Sequence, residues 1–205
     1  DEVANLILGD AVSSSIEHAG QQDTYHFSLA TDSALYFDSN TNSTNFTWTL
    51  SGPRGTVVAA RQFADSDGND YTANPVLSLV AGDYTLIIDG KDSTVGDYGF
   101  RLLDLSMATA INIGDTVSDT LNPGNQTHLY RFTASARDRL RFDLLSESSD
   151  TPYWRLISPY YGVVFGPSAT DDLVFFWVYP AHAGHDYGSI ERQGFRKLIV
   201  EQEGA

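Results

Sequence analysis

The sequence predicts an all-β protein built of two tandem antiparallel β-sandwich domains, jelly-roll-like in pattern. Three observations carry that prediction: the chain repeats itself at long range, its apolar residues alternate at period two in short runs, and no segment holds apolar residues at helical spacing over a useful length. Its 205 residues suffice for two domains of about 100 residues each, a size at which a sandwich buries a core of its own.

The repeat places Leu8–Asp38 against Ile113–Asp143, 105 positions on, without a gap. Ten of the 31 pairs are identical: Gly9/Gly114, Asp10/Asp115, Val12/Val117, Ser13/Ser118, Gln21/Gln126, Tyr25/Tyr130, Phe27/Phe132, Leu35/Leu140, Phe37/Phe142 and Asp38/Asp143. Ordinary residue frequencies give about two by chance. After a one-residue insertion Trp48-Thr-Leu50-Ser-Gly-Pro53 faces Trp154-Arg-Leu156-Ile-Ser-Pro159. A period this long is a domain rather than a solenoid repeat, so the expected domains are 1–104 and 105–205.

Within the first copy Tyr25-His-Phe27 and Leu35-Tyr-Phe37 read as strands, with Ser28–Ala34 expected to be the loop of a hairpin between them. Trp48-Thr-Leu50 is a third strand, stopped at Gly52-Pro53-Arg54-Gly55, where Pro fixes φ and Gly supplies positive φ. Val57-Val58 opens a fourth. Gly82–Ile88 and Gly96–Leu102 place Tyr, Leu and Phe on one face and are expected to pair as an antiparallel hairpin. In the second copy Gly194–Val200 is expected where Gly82–Ile88 stands in the first, which leaves no counterpart of Gly96–Leu102 and a domain about one strand short.

The succession Gly9-Asp10, Gln22-Asp23-Thr-Tyr25-His-Phe27, Trp48-Thr-Leu50-Ser-Gly-Pro53-Arg-Gly55, Gly82-Asp-Tyr84-Thr-Leu86 and Gly96-Asp-Tyr98-Gly-Phe100 resembles the bacterial pre-peptidase C-terminal domain family. The resemblance spans nearly all of the first copy and the second through Pro159. It implies a β-sandwich without catalytic activity of its own, appended to secreted proteases or large bacterial surface proteins. Some relatives bind calcium or a polymer such as collagen, but no motif here fixes which residues would do so.

Composition narrows the function classes. Residues 1–104 carry 15 acidic and 4 basic side chains, and the whole chain has a net charge of −15, so nucleic acid is not an expected partner. No apolar run approaches the roughly 18 residues of a membrane span. The chain opens at Asp1-Glu2 without a signal peptide and reads as a mature fragment of an extracellular or cell-surface protein. Cysteine is absent, which leaves oxygen ligands for any metal. Asp65, Asp67, Asn69 and Asp70 pack four such ligands into six residues around Gly68, a candidate Ca²⁺ loop whose plainer reading is a solvated turn. His182 and His185 with Asp186 suit a transition metal weakly and a polar loop better.

The densest aromatic region lies where the second copy leaves the repeat. Tyr160, Tyr161, Trp177 and Tyr179, with His182 and His185, form the candidate ligand-binding set, for a polysaccharide or an extracellular protein, although the continuous apolar run around Phe175 and Trp177 reads better as core packing of the second domain. Trp48 and Trp154 occupy equivalent positions and read as core. There is no Gly-x-Ser-x-Gly, no His-Glu-x-x-His and no Cys nucleophile, so the chain is expected to be a non-catalytic binding or adhesion module. A ligand-free spacer and a carbohydrate-active enzyme stand as the alternatives.

Overall fold

The computed structural model describes the chain apart from residues 68–72, 136–137, 148–152, 170–173, 178–185, 193–194 and 203–205, with only the backbone described in 139, 143–147, 167–169, 174–177, 186–192 and 195–202. The chain forms two compact units, Asp1–Ser106 and Met107–Ala205, and each is built of β-strands.

The first unit contains β1 (Val3–Asn5), β2 (Val12–Ile16), β3 (Gln22–Leu29), β4 (Ser33–Ser39), β5 (Phe46–Gly52), β6 (Gly55–Gln62), β7 (Val76–Leu79), β8 (Gly82–Gly90) and β9 (Gly96–Asp104). They make a five-stranded sheet in the order β1-β3-β8-β5-β6 and a four-stranded sheet in the order β2-β9-β4-β7. All neighbours are antiparallel except β1 and β3. One core joins them: Tyr25, Phe27, Trp48, Leu50, Leu86 and Ile88 come from the first sheet, Leu35, Phe37, Leu77, Phe100 and Leu102 from the second. The alternation in β3 and β8 follows from this, since every second side chain points into the sandwich and its neighbours face solvent.

Two expected pairings are corrected. β3 and β4 are not a hairpin; β3 pairs with β1 and β8, whereas β4 pairs with β7 and β9. Likewise β8 lies between β3 and β5, and β9 lies between β2 and β4. Each of these consecutive pairs crosses from one sheet to the other, and both members contribute to the shared core. Period-two alternation reports which face a residue takes but is identical for strands that pair and strands that oppose each other across a sandwich. The hairpin at Gly52-Pro53-Arg54-Gly55 forms as expected between β5 and β6, with Gly55 at φ +91°.

The second unit contains β10 (Thr109–Ala110), β11 (Thr116–Thr120), β12 (Thr127–Thr133), β13 (Arg139–Glu147), β14 (Tyr153–Ile157), β15 (Val163–Ala169), β16 (Val174–Trp177), β17 (Asp186–Arg192) and β18 (Phe195–Gln202). Its sheets run β10-β12-β17-β14-β15 and β11-β18-β13-β16, strand for strand the order of the first unit. Registers agree as well. Phe27 pairs with Tyr84 as Phe132 pairs with Tyr187, and Val12 pairs with Phe100 as Val117 pairs with Leu198. The expectation of a missing last strand is therefore corrected: Asp186–Arg192 takes the place of β8, and Phe195–Gln202 takes that of β9. Phe132, Leu140, Phe142, Trp154 and Leu156 form its core where Phe27, Leu35, Phe37, Trp48 and Leu50 stand in the first.

Candidate functional site

The polar groups buried in the first unit knit its sheets together. Asp23, fully buried on β3, accepts at Oδ1 from the Glu2 backbone N–H and from Gln21 Nε2, both at 2.9 Å, and at Oδ2 from the Tyr98 hydroxyl at 2.8 Å. The Tyr98 hydroxyl has one proton and gives it to Asp23, so the Tyr25 hydroxyl, 2.6 Å away, donates to Tyr98. Burial works to raise the Asp23 carboxyl, but the donors Gln21, Glu2 and Tyr98 outweigh it and hold the group below the ordinary aspartate value. Burial, with the hydrogen bonds to Tyr25 and Asp23, pushes the Tyr98 phenol up.

The second unit makes the same tie between sheets with its charges rearranged. Position 23 becomes His128, position 14 becomes Asp119, and Tyr25 is kept as Tyr130. Asp119 Oδ2 accepts from the Tyr130 hydroxyl at 2.7 Å and lies 2.6 Å from His128 Nδ1, while Oδ1 accepts from the Thr120 N–H at 2.7 Å. Partial burial opposes ionisation, yet these donors and the His128 ring hold Asp119 below the usual carboxylate range. Paired with Asp119 in register on β18 is Arg196, at the position that Tyr98 holds opposite Ser14 in the first unit. The carboxylate has moved from the β3 position to the β2 position, and both of its flanking positions have become basic residues.

A pH dependence follows. A carboxylate whose pKa is depressed in the folded state contributes stability that is present above its unfolded value, about 4, and lost as pH falls through the folded value. Both units are expected to weaken below about pH 4. Urea midpoints at pH 7 and pH 3 check this, with Asp23→Asn expected to lower the midpoint at pH 7 and to flatten the decline into acid.

Of the candidate calcium ligands, Asp65 is exposed and Asp67 is buried, with Asp67 Oδ2 accepting from the Ser39 N–H at 2.9 Å. Between them Ser66 Oγ accepts from Trp48 Nε1 at 2.7 Å and donates to the Gln62 carbonyl at 2.8 Å. The loop's start is thus anchored on the core, and its two described aspartates divide between solvent and interior. Asn69 and Asp70 lie outside the described residues. No group of three or more His, Cys, Asp or Glu among the described residues is placed to hold a metal.

Tyr160 and Tyr161 sit at the tip between β14 and β15, 62% and 42% exposed. They occupy the positions of Arg54 and Gly55 in the first unit, after the shared Pro159/Pro53. The turn itself is kept: Tyr161 N–H donates to the Ser158 carbonyl at 2.9 Å, Ser158 N–H to the Gly162 carbonyl at 2.8 Å, and Gly162 N–H to Ser158 Oγ at 3.1 Å. Tyr161 has φ +63° where Gly55 has +91°. A left-handed backbone costs a residue with a Cβ about 1–2 kcal/mol. Trp177 closes β16 in the other sheet, paired with Arg139. Tyr179, His182 and His185 lie outside the described residues.

The two inter-sheet clusters were not legible as such in the sequence. The retained pair Tyr25/Tyr130 was the available signal, because a buried phenol needs a polar partner. Arg101 and Asp38 form a further buried pair, at 2.6 Å from the guanidinium Nη2 to Oδ2 and 2.7 Å from Nε.

No protein-family profile matches the chain. A stretch of 48 residues is 40% identical to the glucose-6-phosphate isomerase of Thermococcus kodakarensis and 42% identical to that of Thermococcus onnurineus, covering 23% of this chain and 25% of each enzyme. The chain therefore matches about a quarter of the length of these curated relatives. Among solved structures, the CUB1-EGF-CUB2 domains of human MASP-1/3 align over 93% of this chain and 99% of theirs, at 9% identity and a TM-score of 0.26. Those of rat MASP-1 align over 98% and 100%, at 7% identity and 0.29. Neither likeness assigns this chain a family.

Proposed function

We propose that this chain is a non-catalytic binding module of a larger secreted or surface-exposed bacterial protein, with an extracellular polysaccharide or protein as its partner. The observation that carries the reading is the β14–β15 tip. Two copies that share strand order and register differ there by two exposed tyrosines, one of them in a backbone conformation that the first copy gives to glycine. Asp23, Asp38, Asp67 and Asp119 support the non-catalytic part, because each is engaged in hydrogen bonds that join strands or loops, a structural use of a carboxylate.

The test is a glycan and matrix-protein array probed with the intact chain, alongside assays for glycoside and peptide hydrolysis and for isomerisation of glucose 6-phosphate. Binding without turnover is the expected result. Turnover of any of these substrates contradicts the reading, and binding to nothing favours a ligand-free spacer. Calcium remains part of the proposal as a stabilising ion at the Asp65–Asp70 loop. Calcium at 100 times its dissociation constant should stabilise by about 2.7 kcal/mol over chelator in thermal melting, and no shift at millimolar calcium removes the ion from the account.

A further inference from the structure

Strand β1 is an edge strand with little apolar anchorage. It pairs with β3 alone, Val3 is 69% exposed, and Ala4 is its one side chain packed on the core; the next core side chain is Leu6, just past the strand. Its outer end is fastened by polar groups instead. Asp23 Oδ1 accepts from the Glu2 N–H at 2.9 Å, the Glu2 carbonyl accepts from the Thr24 N–H at 2.8 Å, and Asp1 Oδ1 accepts from the Gln22 N–H at 2.9 Å. Glu2 Oε2 accepts from the Ser14 hydroxyl at 2.8 Å. Asp1 and Glu2 are exposed, so Asp23 is the buried carboxylate of the set, and its two oxygens serve three donors, Glu2, Gln21 and Tyr98.

The two copies show what that acceptor does. In the second unit His128 stands in place of Asp23, and β10 pairs with β12 only from Thr109, the counterpart of Ala4. Met107, the counterpart of Glu2, is 75% exposed. At the far end the copies agree, since the Leu6 N–H donates to the His26 carbonyl at 2.8 Å as the Ile111 N–H donates to the Arg131 carbonyl at 2.9 Å. We infer that Asp1–Asn5 is a strap latched by the ionised Asp23, which swings out about Leu6 when that carboxylate is neutralised while the sandwich stays folded. A neutral acid or amide keeps one strong acceptor oxygen for three donors, and a strand with so little buried apolar surface opens locally at small cost. Release bares the β3 edge, whose unpaired N–H and C=O groups would be a template for another extended segment; the latched strap keeps that edge shut. The titratable groups around the latch are the amino group of Asp1 and the Glu2 carboxylate from the strap, Tyr25 on β3 and Tyr98 from β9. Burial works against ionisation of Asp23, yet its donors hold the carboxyl below the ordinary aspartate value. The latch is therefore present above the unfolded value, about 4, and lost as pH falls through the folded value.

The experiment is amide hydrogen exchange of the intact chain at pH 7 and pH 3, each rate taken relative to an unfolded chain at the same pH. The Thr24 amide is expected to lose at least about tenfold in protection on acidification, the worth of a hydrogen bond to a charged group. Leu6 at the hinge and Leu86, on the strand between β3 and β5, are expected to stay protected. In Asp23→Asn the Thr24 amide is expected to be weakly protected already at pH 7 and to change little at pH 3, whereas Glu2→Gln is expected to keep the wild-type pH dependence. Equal Thr24 protection at both pH values overturns the latch. So does simultaneous loss at Thr24, Leu6 and Leu86, which is global unfolding rather than release of a strap. A wild-type pH dependence in Asp23→Asn, or its disappearance in Glu2→Gln, moves the titration to another group and overturns the assignment. The wild-type comparison decides the matter by itself if Asp23→Asn does not fold.

Discussion

Phe100→Ala is expected to lower the stability of the first unit by about 3–5 kcal/mol, the range found when a large buried aromatic is truncated and its cavity only partly collapses. Phe100 is fully buried on β9 and stands at the centre of an aromatic cluster. Its ring stacks on Phe37 at 5.1 Å between centroids and meets Tyr25 edge-on at 5.4 Å, and Phe37 in turn stacks on Trp48 at 4.2 Å. These contacts join the two sheets, so the loss falls on the sandwich as a whole. Folded domains are stable by only 5–15 kcal/mol in general, and the variant is expected to lie close to its unfolding transition at physiological temperature. Urea unfolding followed by tryptophan fluorescence measures it, because Trp48 reports on the affected cluster. A change below about 1 kcal/mol would contradict the central place given to this ring.

Asp38→Ala is expected to be as damaging for a different reason. Asp38 is fully buried and Arg101 is 13% exposed, and removing the carboxylate takes away the charge that lies 2.6 Å from the guanidinium. Breaking a buried pair on one side costs about 3–5 kcal/mol, whereas replacing both partners with apolar side chains of similar volume is often neutral. Asp38→Leu together with Arg101→Met is therefore expected to recover most of the loss. Chemical denaturation of the single and double variants checks this, and a double variant as unstable as the single one would show that the loss does not arise from breaking the pair.

Strands and the tight hairpin were legible in the sequence because they are local. Tyr25-His-Phe27 shows its buried face by alternation, and Gly52-Pro53-Arg54-Gly55 shows its turn by backbone chemistry. Pairing was not legible, since a strand's inward residues look the same whether its sequence neighbour lies beside it or across the core. The second copy was misassigned for a related reason. Gly194–Val200 opens with a glycine as both Gly82–Ile88 and Gly96–Leu102 do, and composition alone does not choose between them. Register chooses: Leu198 pairs with Val117 as Phe100 pairs with Val12. The inter-sheet clusters escaped notice because Asp23 and Asp119 sit at non-equivalent positions, so the alignment displays two unrelated differences where the fold holds one polar tie. Of the candidate site, the tyrosine pair was legible as an aromatic excess, but the left-handed turn that presents Tyr161 was not.

In its described residues the chain folds as two copies of one nine-stranded sandwich, the second carrying the aromatic tip. Amide hydrogen exchange on the intact chain tests it most directly. The amides of Phe195–Gln202 that lie in the β18 ladders with β11 and β13 are predicted to be protected to the same order as those of Gly96–Asp104 between β2 and β4. Exchange of Phe195–Gln202 at the rate of an unfolded chain, with Gly96–Asp104 protected, would contradict it.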